Sequence, residues 1–108
     1  MNILAVGDIV GSIGVKELQK RLQKVKSEYN VDFAIVNGEN AAEGMGITLK
    51  NFKDILSAGA DCVTMGNHTW GKKEIFSFID EPKLIRPANY PKSVCGKGYY
   101  IYKCKDKK

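Results

Sequence analysis

Three loops of this chain carry side chains that suit divalent metal ions and phosphate chemistry. Asp8, the pair Glu39 and Asn40, and the pair Asn67 and His68 each come directly after a glycine. Carboxylate and amide oxygens are hard ligands, of the kind that bind Mg, Mn or Fe(II). A histidine can transfer a proton near neutral pH. If the three loops meet in space, they predict a metal-dependent site that acts on phosphate groups.

Short apolar runs precede all three glycines, and we interpret these runs as buried strands. We predict strands over about residues 2–7, 32–37 and 61–65. In an open parallel sheet, ligands bind beyond the carboxyl ends of the strands. Because each glycine loop follows such an end, we expect the five polar side chains to converge on one edge of the sheet.

The segments between these strands have the apolar spacing of helices. Val15, Leu18 and Leu22 recur at steps of three and four, which predicts a helix over about residues 14–29. A second helix is predicted over about 49–58, with Thr48 as its N-cap and Gly59 at its end. The alternation of strand and helix indicates an α/β fold, a mainly parallel sheet with flanking helices, in a single domain over residues 1–108.

The last third of the chain gives weaker signals. A short helix is expected over about residues 72–79, and Leu84-Ile85-Arg86 reads as a short strand that Pro87 ends. The segment Gly98-Tyr99-Tyr100-Ile101-Tyr102 is rich in residues that favour strands, so we predict a last strand there.

The composition indicates a globular protein of the cytoplasm. Hydrophobic residues make up 44% and charged residues 27%, and no apolar run approaches the ~20 residues that span a membrane. Three cysteines without a C-x-x-C pair favour a reducing compartment. The net charge of +5 comes largely from Lys103, Lys105, Lys107 and Lys108. A solvated tail explains them, and RNA association has little support because no aromatic residue lies within the lysine cluster.

Several of the polar residues also have simpler interpretations. Asp8 alone could be a turn residue, Glu43 is expected to be exposed unless it supports the site from outside, and Trp70 could pack the loop or stack on a ligand. Residues 7–14 lie between a predicted strand and a predicted helix, which is where dinucleotide folds place their phosphate loop. It lacks the G-x-G-x-x-G spacing, however, and has an acid where pyrophosphate would approach.

Four segments resemble a known family: ILAVGDIVG at 3–11, VNGENAAEGMGIT at 36–48, VTMGNHTW at 63–70 and LIRPANYP at 84–91. They are similar to calcineurin-like metallophosphoesterases and, more narrowly, to the bacterial YmdB-type family of cyclic-nucleotide phosphodiesterases. Val10 stands where the wider superfamily has a histidine, and Gly38-Glu39-Asn40 stands in place of its G-D-x-x-D motif. Both departures are those of the YmdB-type branch.

The resemblance implies a role for each loop residue. Asp8 and Asn40 would hold one metal ion, Glu39 would bridge two, Asn67 would hold the second, and His68 would donate a proton to the leaving oxygen. The implied cofactors are two divalent ions, iron or manganese, with magnesium as the alternative. The implied substrates are small phosphodiesters, including 2',3'-cyclic nucleotides. The implied fold is the N-terminal half of the metallophosphoesterase αββα sandwich.

The family is longer than this chain and takes further histidine ligands from its second half, whereas His68 is the only histidine here. Two hypotheses follow. Either the chain is the N-terminal part of a two-metal phosphodiesterase, or it is a non-catalytic truncated module that binds a partner or an anion. Half of the family fold would leave an apolar sheet face uncovered, so we also expect a homo-oligomer or, failing that, marginal stability.

Overall fold

Four short parallel strands form one sheet in which every strand lies beside its neighbour in the sequence. The computed structural model describes residues 1–105, and the sheet order is β1-β2-β3-β4. The elements in chain order are β1 (Ile3–Val6), α1 (Gly11–Glu28), β2 (Phe33–Asn37), α2 (Leu49–Ala58), β3 (Cys62–Thr64), a 3₁₀ helix (Lys73–Ser77) and β4 (Leu84–Ile85). The predicted α/β fold with a parallel sheet and flanking helices is confirmed.

Both α-helices lie on the same face of the sheet, and the core fills the space between. Crossovers between parallel strands are almost always right-handed. When each new strand is added at the same edge of the sheet, right-handed crossovers place every connecting helix on the same face of the sheet. Strand residues on this face are almost fully buried, as Ala34, Val36 and Val63 show with 0% exposure. They form one cluster with α1 and α2 through Val15, Leu18, Leu22, Phe52 and Ile55.

Local signals determine the ends of α2 and, in part, those of α1. The Thr48 hydroxyl accepts from Asn51 N, and the Asn51 side chain accepts from Thr48 N, so the predicted N-cap forms a full capping box. Asn30 follows α1 with a φ of 52°, the left-handed conformation that Asn tolerates at a helix end. Helix α1 begins three residues before the predicted start, at Gly11. In the part of the chain that the structure describes, no helix is long and apolar enough to cross a membrane.

The predicted last strand over residues 98–102 is wrong. Only Lys97 pairs with β4, through an isolated bridge to Ile85, and residues 98–102 make no ladder. This segment instead runs across the sheet face opposite the helices, where the Tyr102 ring lies 5.3 Å from that of Phe33. Strand propensity largely reflects side-chain packing, and here Tyr100, Ile101 and Tyr102 lie against the sheet face rather than beside the edge of β4. The expected helix over 72–79 is also shorter, a 3₁₀ helix over Lys73–Ser77.

The sheet face opposite the helices is largely open to solvent. Ile3 on β1 is 61% exposed, and Ile101, which lies beside this face, is 65% exposed. Together with Phe33, Ile35 and Tyr100 they line an apolar groove of about 450 Å³. No helix of residues 1–105 covers this groove, as the sequence predicted for half of the family fold.

An ion pair fixes the far end of the described chain to the start of β2. Lys105 Nζ lies 2.5 Å from Asp32 Oδ1, and Asn2 N donates to Asp32 Oδ2 at 2.8 Å. The hydrogen bond from Lys105 and that from Asn2 hold the pKa of the Asp32 carboxyl below its ordinary value of 3.8. Of the predicted solvated lysine tail, Lys105 is therefore paired, and Lys107 and Lys108 lie outside the described residues.

This ion pair predicts a pH dependence of folding stability. Because the folded-state pKa of Asp32 is lowered, its contribution is complete above pH 3.8 and is lost as the pH falls through the lowered value. We expect Asp32→Asn to flatten the fall of the unfolding free energy in that acid range, as measured by urea unfolding at a series of pH values. The same change at Asp80, an exposed carboxylate without an ion pair in residues 1–105, is the control.

Candidate functional site

The loops after β1, β2 and β3 meet at one edge of the sheet, as the sequence predicts. Asn40 lies at the centre of this site: its Nδ2 donates to Asp8 Oδ1 at 2.6 Å, and its Oδ1 lies 2.5 Å from His68 Nδ1. A carboxylate, an amide and an imidazole from three different loops therefore form one hydrogen-bonded run. Asp8 is exposed, whereas Asn40 and His68 are partly buried.

Glu39 lies beneath this run, against the loop that carries His68. Its Oε2 accepts from His68 N at 3.2 Å and lies 3.9 Å from His68 Nδ1. A Cβ added to Gly66 would stand 2.6 Å from Glu39 Cδ and closer still to Oε1, so only glycine at position 66 leaves room for this carboxylate. The glycine that ends β3 thus has a steric role at the site as well as a role in the turn.

Asn67 is the one predicted site residue that does not join the others by a hydrogen bond. It lies between Gly66 and His68 on the same loop, and its side chain is exposed. Its side chain makes no hydrogen bond within residues 1–105, so its amide oxygen is free to bind a cation. The structure therefore brings Asp8, Glu39, Asn40 and His68 into direct contact and leaves Asn67 at the margin.

Asp8 adopts a backbone conformation that is uncommon for residues other than glycine. Its φ is 41°, in the left-handed region where a Cβ meets the following carbonyl oxygen. The neighbouring backbone is fixed by Ile9 N, which donates to Asn37 O at 3.2 Å, and by Gly11 N, which donates to Asn40 O at 3.0 Å. Strained residues that the surroundings hold in place cluster at functional sites.

This strain predicts that glycine at position 8 is more stabilising than alanine, the reverse of the usual order in helices and strands. Asp8→Gly and Asp8→Ala both remove the carboxylate, so the two variants differ only in how well they tolerate a positive φ. We expect Asp8→Gly to be the more stable by about 1 kcal/mol in urea unfolding, because alanine is strained in the left-handed region. In ordinary strands and helices glycine is the less stable of the two. An alanine variant as stable as the glycine variant would contradict the conformation described here.

The structure adds residues that the sequence analysis did not assign to the site. Asn37 ends β2 as the only amide in an apolar strand, its Nδ2 donates to Glu39 Oε1 at 3.4 Å, and its Oδ1 is buried without a partner among the described residues. The Tyr90 hydroxyl donates to Gly66 O at 3.2 Å, and Thr69 Oγ1 donates to the same oxygen at 2.5 Å. A polar residue at the end of an apolar run was the signal available for Asn37.

Glu43 and Trp70 have structural roles here. Glu43 is exposed, as predicted, and its Oε1 accepts from Ser12 N at 3.4 Å, at the start of α1. That helix has no side-chain cap of its own, so Glu43 supplies a negative charge to its N-terminus from a distant loop. The Trp70 ring stacks on those of Phe76 and Tyr90, with centroids 5.3 Å and 6.3 Å away.

The donor set of this site fits a hard divalent cation. Two carboxylates and two amides, those of Asp8, Glu39, Asn40 and Asn67, offer oxygens of the type that Mg, Mn and Fe(II) bind. The buried, unpartnered Oδ1 of Asn37 beside Glu39 is a further acceptor at this site. Within residues 1–105, no three His, Cys, Asp or Glu side chains form a metal-binding group, so amide oxygens such as those of Asn40 and Asn67 would have to complete the ligand set.

The comparisons with known proteins agree with this fold. A 2',3'-cyclic-nucleotide 2'-phosphodiesterase of Bacillus subtilis (strain 168) is 50% identical over 99% of this chain and 41% of its own length. A crystal structure of a hypothetical protein from Thermus thermophilus superposes with a TM-score of 0.91, at 33% identity, over 98% of this chain and 41% of that one. A crystal structure described as a novel phosphatase, from Mycoplasma pneumoniae, gives a TM-score of 0.86 at 34% identity, over 94% and 38%.

The chain therefore spans about two fifths of the length of these relatives. A family model described as YmdB-like protein matches residues 4–108, which is nearly the whole chain. The resemblance seen in the sequence motifs is thereby confirmed. The chain belongs to the YmdB-like protein family.

Proposed function

We propose that this chain supplies metal-binding loops and the proton donor of a phosphodiesterase that cleaves 2',3'-cyclic nucleotides. The contact that carries the proposal is the run from Asp8 through Asn40 to His68, with Glu39 packed against Gly66 beside it. The name of the Bacillus subtilis relative supports the choice of substrate. In this proposal residues 1–108 form one domain and act in the cytoplasm, in keeping with the free thiols of Cys62, Cys95 and Cys104.

The oxygens of Asp8, Glu39, Asn40 and Asn67 would hold two divalent ions, iron or manganese, with magnesium as the alternative. When bound, such ions neutralise charge on the phosphoryl oxygens and lower the pKa of water at the site. Two ions that each prefer about six ligands need about twelve donor positions. Four side chains supply only a few of these, and water would have to supply the rest. The loops described here would therefore act together with the further length that the relatives possess.

His68 would protonate the ribose oxygen that leaves the phosphorus. Its Nδ1 is engaged by Asn40, so Nε2 is the ring nitrogen that remains for proton transfer. With Asn40 Oδ1 as the acceptor, Nδ1 carries a proton, and His68 can donate from Nε2 only when the ring carries both protons. Asn40 would thus fix the orientation of the imidazole, and Asp8 would in turn fix Asn40.

Manganese binding and turnover test this function separately. Purified chain is titrated with Mn²⁺, with free metal followed by electron paramagnetic resonance, and is then assayed with a 2',3'-cyclic nucleotide. We expect Asp8→Asn to weaken metal binding by about 10-fold or more, and the same change at the exposed Asp80 to have no effect. His68→Ala is expected to remove turnover while the chain still binds metal.

The second candidate function is a non-catalytic module that binds a partner or an anion. It is favoured by the small number of donors in the described part of the chain. No turnover, together with manganese affinity weaker than about 1 mM, would support this candidate and contradict the first for the chain as given.

A further inference from the structure

Arg86 follows the fourth strand, at the same edge of the sheet as the candidate site. The loops after β1, β2 and β3 carry the candidate site, and Arg86 directly follows β4 at the same end of the parallel sheet. Its side chain is only 7% exposed. It lines a cavity of about 620 Å³ together with Lys92 and Lys97. Ligands in open parallel sheets bind at this edge, so a buried cation here is in a position to contact one.

The Arg86 guanidinium is buried without a counter-charge. Its Nε, Nη1 and Nη2 donate to the backbone oxygens of Cys95, Pro87 and Val94 at 3.1, 2.8 and 3.3 Å. These bonds use three of the five N–H donors that a guanidinium carries. No carboxylate of residues 1–105 forms an ion pair with it. A buried charge that only neutral groups satisfy is costly, and an anion that enters the cavity would reduce that cost.

The other charged residues of the cavity wall, Lys92 and Lys97, are also cationic. Lys92 is exposed, and Lys97 Nζ donates only to the backbone oxygen of Asp80, at 3.0 Å. None of the described residues that line the cavity is acidic. Three cationic side chains around one concave surface raise the local positive potential and concentrate anions there.

Tyr90 connects this cavity to the candidate site. Tyr90 is one of the residues that line the cavity, and its hydroxyl donates to Gly66 O at 3.2 Å, on the loop that carries Asn67 and His68. Tyr90 is therefore shared between the cavity wall and the loop that would hold metal and donate the proton.

We propose that this space, the Arg86 cavity, binds a phosphate group through the guanidinium. The planar fork of arginine matches the oxygens of phosphate, and the two N–H donors not used by the backbone are available for it. The inference rests on the proposed function, because the Arg86 cavity would give the substrate of that same site a second point of attachment. The phosphate is either a flanking phosphate of the substrate, next to the one that is cleaved, or free orthophosphate.

The binding step is tested without metal and without turnover. The Nε–H resonance of Arg86 is followed by NMR while metal-free chain is titrated with inorganic phosphate. We expect a saturable shift with a Kd of about 1 mM or tighter. A shift that stays linear with concentration, or none at all, would overturn the proposal even if Mn²⁺ binds at Asp8. Conversely, a saturable shift in a chain that binds no Mn²⁺ would refute only the proposed function.

A pair of nucleotides distinguishes the two sources of phosphate. One is a 2',3'-cyclic nucleotide that also carries a 5'-phosphate, and the other lacks that phosphate. At least about 10-fold tighter binding of the first, equal to 1.4 kcal/mol, would assign the cavity to a flanking phosphate of the substrate. Equal binding of the two nucleotides, together with saturable binding of inorganic phosphate, would assign it to free orthophosphate.

Arg86→Gln should abolish saturable phosphate binding. Because this variant also loses bonds to the backbone and can fail to fold, Lys92→Gln and Gly98→Ala provide an independent test. Lys92→Gln removes an exposed cation from the cavity wall and should weaken phosphate binding by about two- to fivefold. Lys53→Gln, an exposed lysine of α2, should change nothing. Gly98→Ala would place a Cβ 2.9 Å from Arg86 Nη1 and 3.1 Å from Ala88 Cα, and should weaken binding by crowding the guanidinium. Equal phosphate affinity in wild type, Lys92→Gln and Gly98→Ala would overturn the proposal.

Discussion

The Gly66→Ala variant is expected to lose most of its affinity for manganese with little change in its unfolding free energy, whereas Gly7→Ala keeps both properties. A Cβ at position 66 would stand 2.6 Å from both Cδ and Oε2 of Glu39, and closer still to its Oε1. No real Cβ approaches another atom that closely, so the Glu39 side chain must leave its position. Its departure also removes the acceptor for His68 N.

The magnitude follows from the two effects of this displacement. The atoms in the way are the far end of a flexible side chain, so Glu39 can turn aside at a small cost in folding free energy, whereas moving a ligand out of place lowers metal affinity by about 10- to 100-fold. Urea unfolding measures the first effect, and electron paramagnetic resonance of Mn²⁺ measures the second. Neither measurement requires turnover.

Gly7 is the matched control because it lies in the loop after β1, as Gly66 lies in the loop after β3. A Cβ at position 7 meets nothing within 4 Å. Gly7→Ala should therefore leave the unfolding free energy within about 0.5 kcal/mol of wild type, with unchanged manganese affinity. If both alanine variants behave alike, then contact between Glu39 and position 66 does not shape the site.

The second large effect concerns the open sheet face. We expect the chain to self-associate through the groove that includes Ile3, Phe33 and Ile35, and Ile3→Glu to abolish the association. Exposed apolar surface of this kind marks interaction sites in soluble proteins. In a two-fold symmetric dimer each residue is buried twice. At about 1.5 kcal/mol for each isoleucine, the loss amounts to about 100-fold or more in the dissociation constant.

Ile13→Glu is the matched control for this prediction. Ile13 is even more exposed than Ile3, at 79% against 61%, but it lies on α1 and outside the groove. Sedimentation equilibrium should give a mass that rises with concentration for wild type and Ile13→Glu, and a constant monomer mass for Ile3→Glu. A wild-type chain that stays monomeric at high concentration would refute the prediction.

Features fixed by neighbouring residues could be predicted from the sequence, and features fixed by tertiary contacts could not. Thr48 and Gly59 define the ends of α2 through local hydrogen bonds, and the predicted bounds are correct. Residues 98–102 have the composition of a strand, but they do not pair with β4. Only the preceding residue, Lys97, forms a bridge to that strand. Strand propensity therefore failed where pairing decided the outcome.

The same distinction applies to the candidate site. The pattern of an apolar run, a glycine and a polar residue located the three loops, and topology then required them to meet. The closeness of Glu39 to Gly66 depends on the exact paths of two loops and has no sequence signal. The burial of Arg86 without an ion pair is likewise a property of the tertiary structure alone.

The order of the strands also determines when the site can assemble during synthesis. Because β1, β2, β3 and β4 are neighbours in both sequence and space, each strand finds its partner already present as it emerges from the ribosome. Domains fold from the N-terminus as they are made, and near-neighbour contacts form fastest. Asp8 and Asn40, which lie in the loops after β1 and β2, can thus come together before His68 leaves the ribosomal exit tunnel, so that the imidazole would meet a hydrogen-bond partner already in position.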